Sequence, residues 1–190
     1  MQEERDTEAT ADIDRLIDGA ISGNAADFGR LYDLYVERVY RHIYYRVGNT
    51  KDAEDLTQQV FLRAWNAISR YKKTASPFLA WLMRISHNLV IDFYRLKKDV
   101  TYLDSELMSK DSDSSPERLA EEHFNQQQLR KIILQLPEEQ QQVILMSFIE
   151  GFSYAEIADS LGKKEGNIRV ILHRALKKMR QILELENFSD

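Results

Sequence analysis

Apolar residues recur three and four positions apart along most of the chain, and no stretch alternates convincingly with period two. That spacing is the signature of amphipathic helices, so the chain reads as all-α. The pattern starts at Ile13 with Leu16, Ile17, Ala20 and Ile21. It resumes at Phe28 and continues through Leu31, Tyr32, Tyr35, Val36, Val39, Tyr40, Ile43 and Val47. Gly48-Asn49 should stop this second helix, with Thr50 capping the next. The residues before Ile13 are acidic and aperiodic, which predicts a disordered tail over 1–12.

The third helix, from Lys51 to about Tyr71, carries two stripes. Ala53, Leu56, Val60, Ala64, Ala67, Ile68 and Tyr71 form a core face, while Asp55, Gln58, Gln59, Leu62 and Asn66 fall on the opposite side with Trp65 at the border. An exposed leucine is ordinary by itself. Beside Trp65 and Asp55 it also fits a partner-binding surface, and the residues alone leave both readings open. A polar, basic, aromatic loop over 69–76 follows. Ser76 then reads as the N-cap, and Pro77 as the first residue, of a helix that packs Phe78, Trp81 or Leu82, Ile85, Leu89 and Phe93. This helix leaves Arg84, His87, Asn88, Arg95, Lys97 and Lys98 for solvent or ligand. Bases and aromatics around a loop suit single-stranded nucleic acid, although Phe78 and Trp81 at helical spacing read first as core.

Residues 99–116 are rich in Asp and Ser without a sustained period, as expected of a flexible linker. A helix from about Glu117 to Leu136 opens a second module. Pro137 starts another with Val143, Ile144, Met146 and Phe148, ended by Glu150-Gly151. Ser153 and Glu156 then form a capping-box pattern ahead of Ile157, Ala158 and Leu161, and Gly162 supplies a left-handed stop. A further helix must begin within three residues, because Ile168, Leu172, Ala175, Leu176, Met179, Ile182 and Leu183 recur at helical spacing. Two helices this close read as a helix-turn-helix. Its second helix turns Gly166, Val170, His173, Arg174 and Lys177 away from the apolar stripe.

Composition narrows the function classes. The chain has 190 residues, 43% of them hydrophobic, and no cysteine, which excludes a disulfide framework, a thiolate nucleophile and a zinc finger. His42, His87, His123 and His173 lack metal-ligand spacing, so no metal and no cofactor is expected. No apolar stretch reaches the roughly 18 residues that span a bilayer, and the N-terminus lacks a signal peptide's features. A cytoplasmic protein without membrane insertion is the expectation. Net charge is −5, yet it is unevenly placed: 34–100 carry +6, and 162–180 carry +6 from seven bases against Glu165 alone. Two basic blocks around an acidic one suggest two nucleic-acid-facing modules.

With these elements in place, DAEDLTQQVFLRAW (52–65), SPFLAWLMRISHNLVIDFYR (76–95), LPEEQQQVILMSFIEGFSYAEIADSLG (136–162) and NIRVILHRALKKMR (167–180) resemble the extracytoplasmic-function sigma factors of bacterial RNA polymerase. The likeness covers nearly all of residues 20–185. It implies a sigma region 2 domain over 13–98 and a sigma region 4 domain over 117–186, joined by the 99–116 linker. It places Asp52, Asp55, Gln58, Gln59, Leu62 and Trp65 against the β′ clamp helices of core polymerase. Arg70, Lys72, Lys73, Ser76, Arg84 and Asn88 fall to the non-template strand of the minus-ten element, from which a flipped base is captured. The recognition helix meets the minus-thirty-five element, with Asn167, Val170, His173 and Arg174 at base edges and Lys163, Lys164, Arg169, Lys177 and Lys178 at phosphates.

An anti-sigma partner is expected from the resemblance. Four residues at three places depart from it. Gln59 stands where an acid is usual, Lys163-Lys164 where an apolar residue and a cap are common, and Ile171 where a base is common. Two other classes of function compete. A free-standing helix-turn-helix regulator would need no polymerase and no Leu62 face. An enzyme has little support, since Glu138-Glu139 and Asp52/Asp55 sit at helix starts where acids favour the dipole anyway, without nucleophile or phosphate loop.

Overall fold

The computed structural model describes residues 2–74, 76–101 and 127–187, and among them every regular element is helical. The first module comprises α1 (Gln2–Ile21), α2 (Ala25–Val47), α3 (Thr50–Ala67) and α4 (Phe78–Thr101), with a single 3-10 turn at Ile68–Arg70. The second comprises α5, described over 127–134, then α6 (Glu138–Ile144), α7 (Tyr154–Leu161) and α8 (Glu165–Asn187).

Local chemistry sets the boundaries. The Asn24 carboxamide accepts from the Ala26 and Asp27 amides and starts α2. Gly48, at φ 68°, ends α2 in the left-handed region and returns its N–H to the Tyr44 carbonyl. Asn49, rather than the expected Thr50, caps α3: its side chain accepts from the Asp52 amide at 2.9 Å. The capping box at α7 forms as the sequence indicates. Glu156 Oε2 accepts the Ser153 amide at 2.7 Å, and Ser153 Oγ accepts the Glu156 amide at 3.3 Å. Gly162 ends α7 at φ 63°.

Four expectations are corrected. The stretch 2–12, expected as a disordered tail, belongs to α1. Leu16, Ile17 and Ala20 anchor the C-terminal half, and once that half is nucleated the Glu-, Gln-, Arg- and Ala-rich sequence before it extends the helix at little cost. The linker expected over 99–116 begins inside α4, which runs to Thr101; its remainder and the expected helix start at Glu117 lie outside the described residues. Phe148, expected on the apolar face of its helix, is 60% exposed. Residues Leu145–Ile149 form a π turn, closed by Glu150 N–H on the Leu145 carbonyl at 3.0 Å, and the wider turn rotates Phe148 outward. Finally, Ser76 does not cap α4. Its hydroxyl instead lies 2.9 Å from the Glu156 carbonyl and 2.7 Å from Asp159 Oδ2, both on α7, and its one proton is shared between them.

The core is continuous. Leu31, Val39 and Ile43 of α2 pack with Ala53 and Val60 of α3 and Leu82 and Met83 of α4. The same buried cluster runs on through Ile133, Met146, Ile157, Ile168 and Leu172 of the second module. Polar groups accompany it on α2 and α4. His42 and Arg46 are 0% and 1% exposed, Arg46 Nη1 donates to His87 Nδ1 at 2.8 Å, and the Tyr94 hydroxyl donates to the Arg46 carbonyl. Burial, reinforced by the Arg46 charge, lowers the His42 imidazole to about 3 and the His87 imidazole to about 4, so both rings are neutral. The same burial lowers Arg46 to about 10, which still leaves it charged.

Candidate nucleic-acid and partner interface

Three surfaces carry the residues singled out from sequence. The first is the outer face of α3. Leu62 is 61% exposed, and Asp55, Gln58, Gln59 and Asn66 are exposed around it. The opposite face of the same helix, through Ala53, Leu56, Val60 and Ala64, is fully committed to the core. The helix therefore cannot turn Leu62 inward. Trp65 sits half-buried at the border, its ring 5.0 Å from Phe28, which fixes the edge of the face. Asp52 stands apart from that face at the first turn, where its carboxylate lies 3.9 Å from Lys97 Nζ of α4.

The second surface is the loop between α3 and α4. Tyr71, Phe78 and Trp81 form an aromatic cluster with centroids 4.8 to 5.3 Å apart. A cavity of about 300 Å³ opens beside it, lined by Arg70, Lys72, Arg84, Tyr71, Trp81 and, from α7, Asp159 among others. Ser76 also lines it and is itself buried. Lys73 points elsewhere: its ammonium lies 2.8 Å from Asp18 of α1 and donates to the Asp14 carbonyl at 3.1 Å. Asn88 is exposed one turn beyond Arg84 on α4 but is not part of the cavity wall. Sequence reasoning missed Thr74 and Asp159. Thr74 Oγ1 donates to Asp159 Oδ2 at 2.7 Å, and the Ser76 hydroxyl donates to the same oxygen at 2.7 Å. These hydroxyls hold the Asp159 carboxyl below the usual range. No local pattern marks Asp159, since on a helix it reads as one more solvated acid.

The third surface is α8, the second helix of the helix-turn-helix. Val170 is 48% exposed, and Lys164, Asn167, His173, Arg174 and Lys177 are exposed with it, while Lys178 is half-buried. Apolar Ile168, Ile171, Leu172 and Ala175 face inward. Ile171 is thus a core residue, which accounts for an apolar side chain at that position. Two of the bases are already paired: Lys163 with Glu139 at 2.7 Å, and Arg169 with Glu165 at 2.5 Å. The Arg169 guanidinium also lies 5.8 Å from the Tyr154 ring, which holds the start of α8 against α7. Among the described residues, no group of three or more histidine or acidic side chains is placed to hold a metal ion. None of their helices is long and apolar enough to cross a membrane.

Known proteins with this arrangement are found by sequence and by fold. Family models for Sigma-70 region 2 and Sigma-70, region 4 match residues 31–99 and 126–179. The chain is 38% identical over 171 residues to the ECF RNA polymerase sigma factor BldN of Streptomyces coelicolor, covering 88% of this chain and 64% of that one. It therefore spans just under two thirds of BldN's length. It is 31% identical over 172 residues to the ECF RNA polymerase sigma factor SigL of Mycobacterium tuberculosis, covering 88% and 95%. The fold is similar to that of the sigma factor RpoE, solved in complex with the anti-sigma factor NepR from Bartonella quintana. That likeness has a TM-score of 0.65 at 22% identity and covers 83% of this chain and 97% of that one.

Proposed function

The chain belongs to the extracytoplasmic-function RNA polymerase sigma factors, and from that membership we propose that it binds core polymerase and directs it to a restricted set of promoters. The outer face of α3 docks on the β′ clamp helices through Leu62, flanked by Asp55, Gln58, Gln59 and Trp65. Asp52 contributes from the first turn. Gln59 in place of an acid leaves this contact more apolar and less dependent on charge pairing.

The loop 70–76 and α4 take the displaced non-template strand of the minus-ten element. Extracting a base costs a few kcal/mol of unstacking. Arg70, Lys72 and Arg84 would offset this at phosphates, and Ser76 and Asn88 at base edges, while Lys73 supports the loop from the α1 side. On α8, Val170 suits a thymine methyl and Arg174 suits guanine, with Asn167 and His173 beside them. Lys163, Lys164, Arg169, Lys177 and Lys178 hold phosphates and set the register. An anti-sigma protein that restrains the chain in the cytoplasm is part of the same reading.

The observation that carries this reading is Leu62, solvent-facing on a helix whose other face is locked in the core. A free-standing helix-turn-helix regulator has no use for it. Leu62→Ala and Asp55→Ala should abolish or severely weaken association with core polymerase while leaving the helical fold and α8 untouched. If both variants bind core polymerase like the parent chain, the docking face is misassigned. If the parent chain does not bind core polymerase at all, the regulator reading replaces this one.

A further inference from the structure

The cavity beside the loop between α3 and α4 combines three kinds of wall that rarely meet by chance. Its volume is about 300 Å³, the lower end of the range for ligand sites and room for one mononucleotide. Three cations converge on it, Arg70, Lys72 and Arg84. None of them has an ionic partner among the described residues. Lys73, by contrast, is spent on Asp18 of α1 and lies outside the walls.

Tyr71 and Trp81 supply an aromatic side, with ring centroids 4.8 Å apart. Asp159 of α7 is the one acid among the described lining residues. The Thr74 and Ser76 hydroxyls both meet its Oδ2, which leaves the lone pairs of Oδ1 for a donor from a ligand. Three cations against one carboxylate give the wall a formal charge of +2.

We propose that this cavity binds a free nucleoside 5′-monophosphate, with the phosphate at the three cations, the base against Trp81 and Tyr71, and an N–H or O–H of base or ribose on Asp159 Oδ1. Each wall answers one part of that ligand. The guanidinium and ammonium groups select a phosphate, whose double negative charge matches the wall's +2. The rings select a flat base. Asp159 repels a bare anion and requires donor groups beside it, which a base and its sugar carry and inorganic phosphate lacks.

A nucleotide within a single strand offers the same groups, and the loop is proposed above to meet one. The α7 wall favours the free molecule. Held in the core through Ile157 and Ala158, α7 bounds the cavity with Asp159 and Ser160, so the space takes one nucleotide rather than a run of them. The site is complete with both modules packed, and binding needs no movement between them. The inference goes beyond the proposed function: a free nucleotide competes with the strand for Arg70, Lys72 and Arg84.

Isothermal titration of the full-length chain with AMP, GMP, CMP and UMP tests the site, with adenosine, guanosine and sodium phosphate as part-ligands. One-site saturation is expected with at least one nucleotide. The part-ligands should bind about tenfold more weakly or worse, having lost either the phosphate contacts or the stacked base. Trp81 is one of two tryptophans, and its fluorescence should be quenched by the nucleotide and not by phosphate. Arg84→Ala, at an exposed position, should weaken nucleotide binding about tenfold. Asp159→Ala should weaken nucleotide binding but hold or strengthen that of phosphate. Unchanged helix content by circular dichroism would show that both variants keep the fold.

If phosphate binds as well as every nucleotide, the cavity is only a patch that attracts anions and the proposal fails. It fails equally if no nucleotide saturates, or if Arg84→Ala or Asp159→Ala binds nucleotide like the parent. Short single-stranded DNA of random sequence should displace the bound nucleotide, and simultaneous binding of both would overturn the shared site. Core polymerase binding, measured in parallel, separates this proposal from the proposed function. A chain that binds nucleotide but not polymerase rejects the proposed function alone, and one that binds polymerase but no nucleotide rejects this site alone.

Discussion

Two histidines enclosed between α2 and α4 make the stability of this chain depend steeply on mild acid. Both nitrogens of His42 are buried without a hydrogen-bond partner, and His87 Nδ1 accepts from Arg46, which a protonated ring could not do. With imidazoles lowered to about 3 and about 4, the folded chain resists protons that the unfolded chain takes up near pH 6.5. Unfolding stability therefore rises with pH through this window and falls on acidification.

Between pH 7 and pH 5 each ring loses roughly 1.5 pK units of stabilisation, at 1.36 kcal/mol per unit. The pair loses about 4 kcal/mol, a large share of the 5–15 kcal/mol typical of a domain. Glu150, its carboxyl raised by burial, works in the opposite sense, since acid relieves its buried charge; its effect is confined to the carboxylate range. Urea titrations followed by circular dichroism at both pH values read the difference. His42→Leu should halve the pH slope and hold or improve stability at pH 5, because it removes two unsatisfied buried polar atoms for similar volume. Equal stability of the parent at pH 5 and pH 7 would refute the reasoning.

Two further outcomes test the nucleic-acid surfaces separately. Arg174→Ala should cost about 1–3 kcal/mol of promoter binding and relax preference at one upstream base; a uniform loss across all sequences would make it a phosphate contact. Asn88→Ala should impair strand opening, read by permanganate footprinting of the holoenzyme, while sparing duplex binding upstream. Normal footprints would remove Asn88 from base capture.

Much of the fold was written in local patterns. The two stripes of α3, the capping box at Ser153 and Glu156, and the Gly162 stop are each decided within a few residues, and each stands where periodicity put it. Ser76-Pro77 shows the limit of such reasoning. The dipeptide has the chemistry of a helix start, but a hydroxyl serves whichever acceptor is nearest in space, and 83 residues separate Ser76 from Asp159. Glu150 was legible only as the end of a helix. Its two arginines, Arg38 and Arg41, come from a helix more than 100 positions earlier. His42 and Arg46 did carry a signal, since they continue the Tyr35, Val39 and Ile43 stripe of α2. Polar residues at core spacing are easily passed over among so many exposed ones.

The central claim is that one helix grips a large enzyme and another grips a duplex, so that the chain gives polymerase a promoter it would not otherwise use. In vitro transcription with purified core polymerase on a library of genomic fragments tests this in one step. The account predicts discrete start sites that appear only when the chain is added and vanish with Leu62→Ala. A transcript profile identical with and without the chain would contradict it.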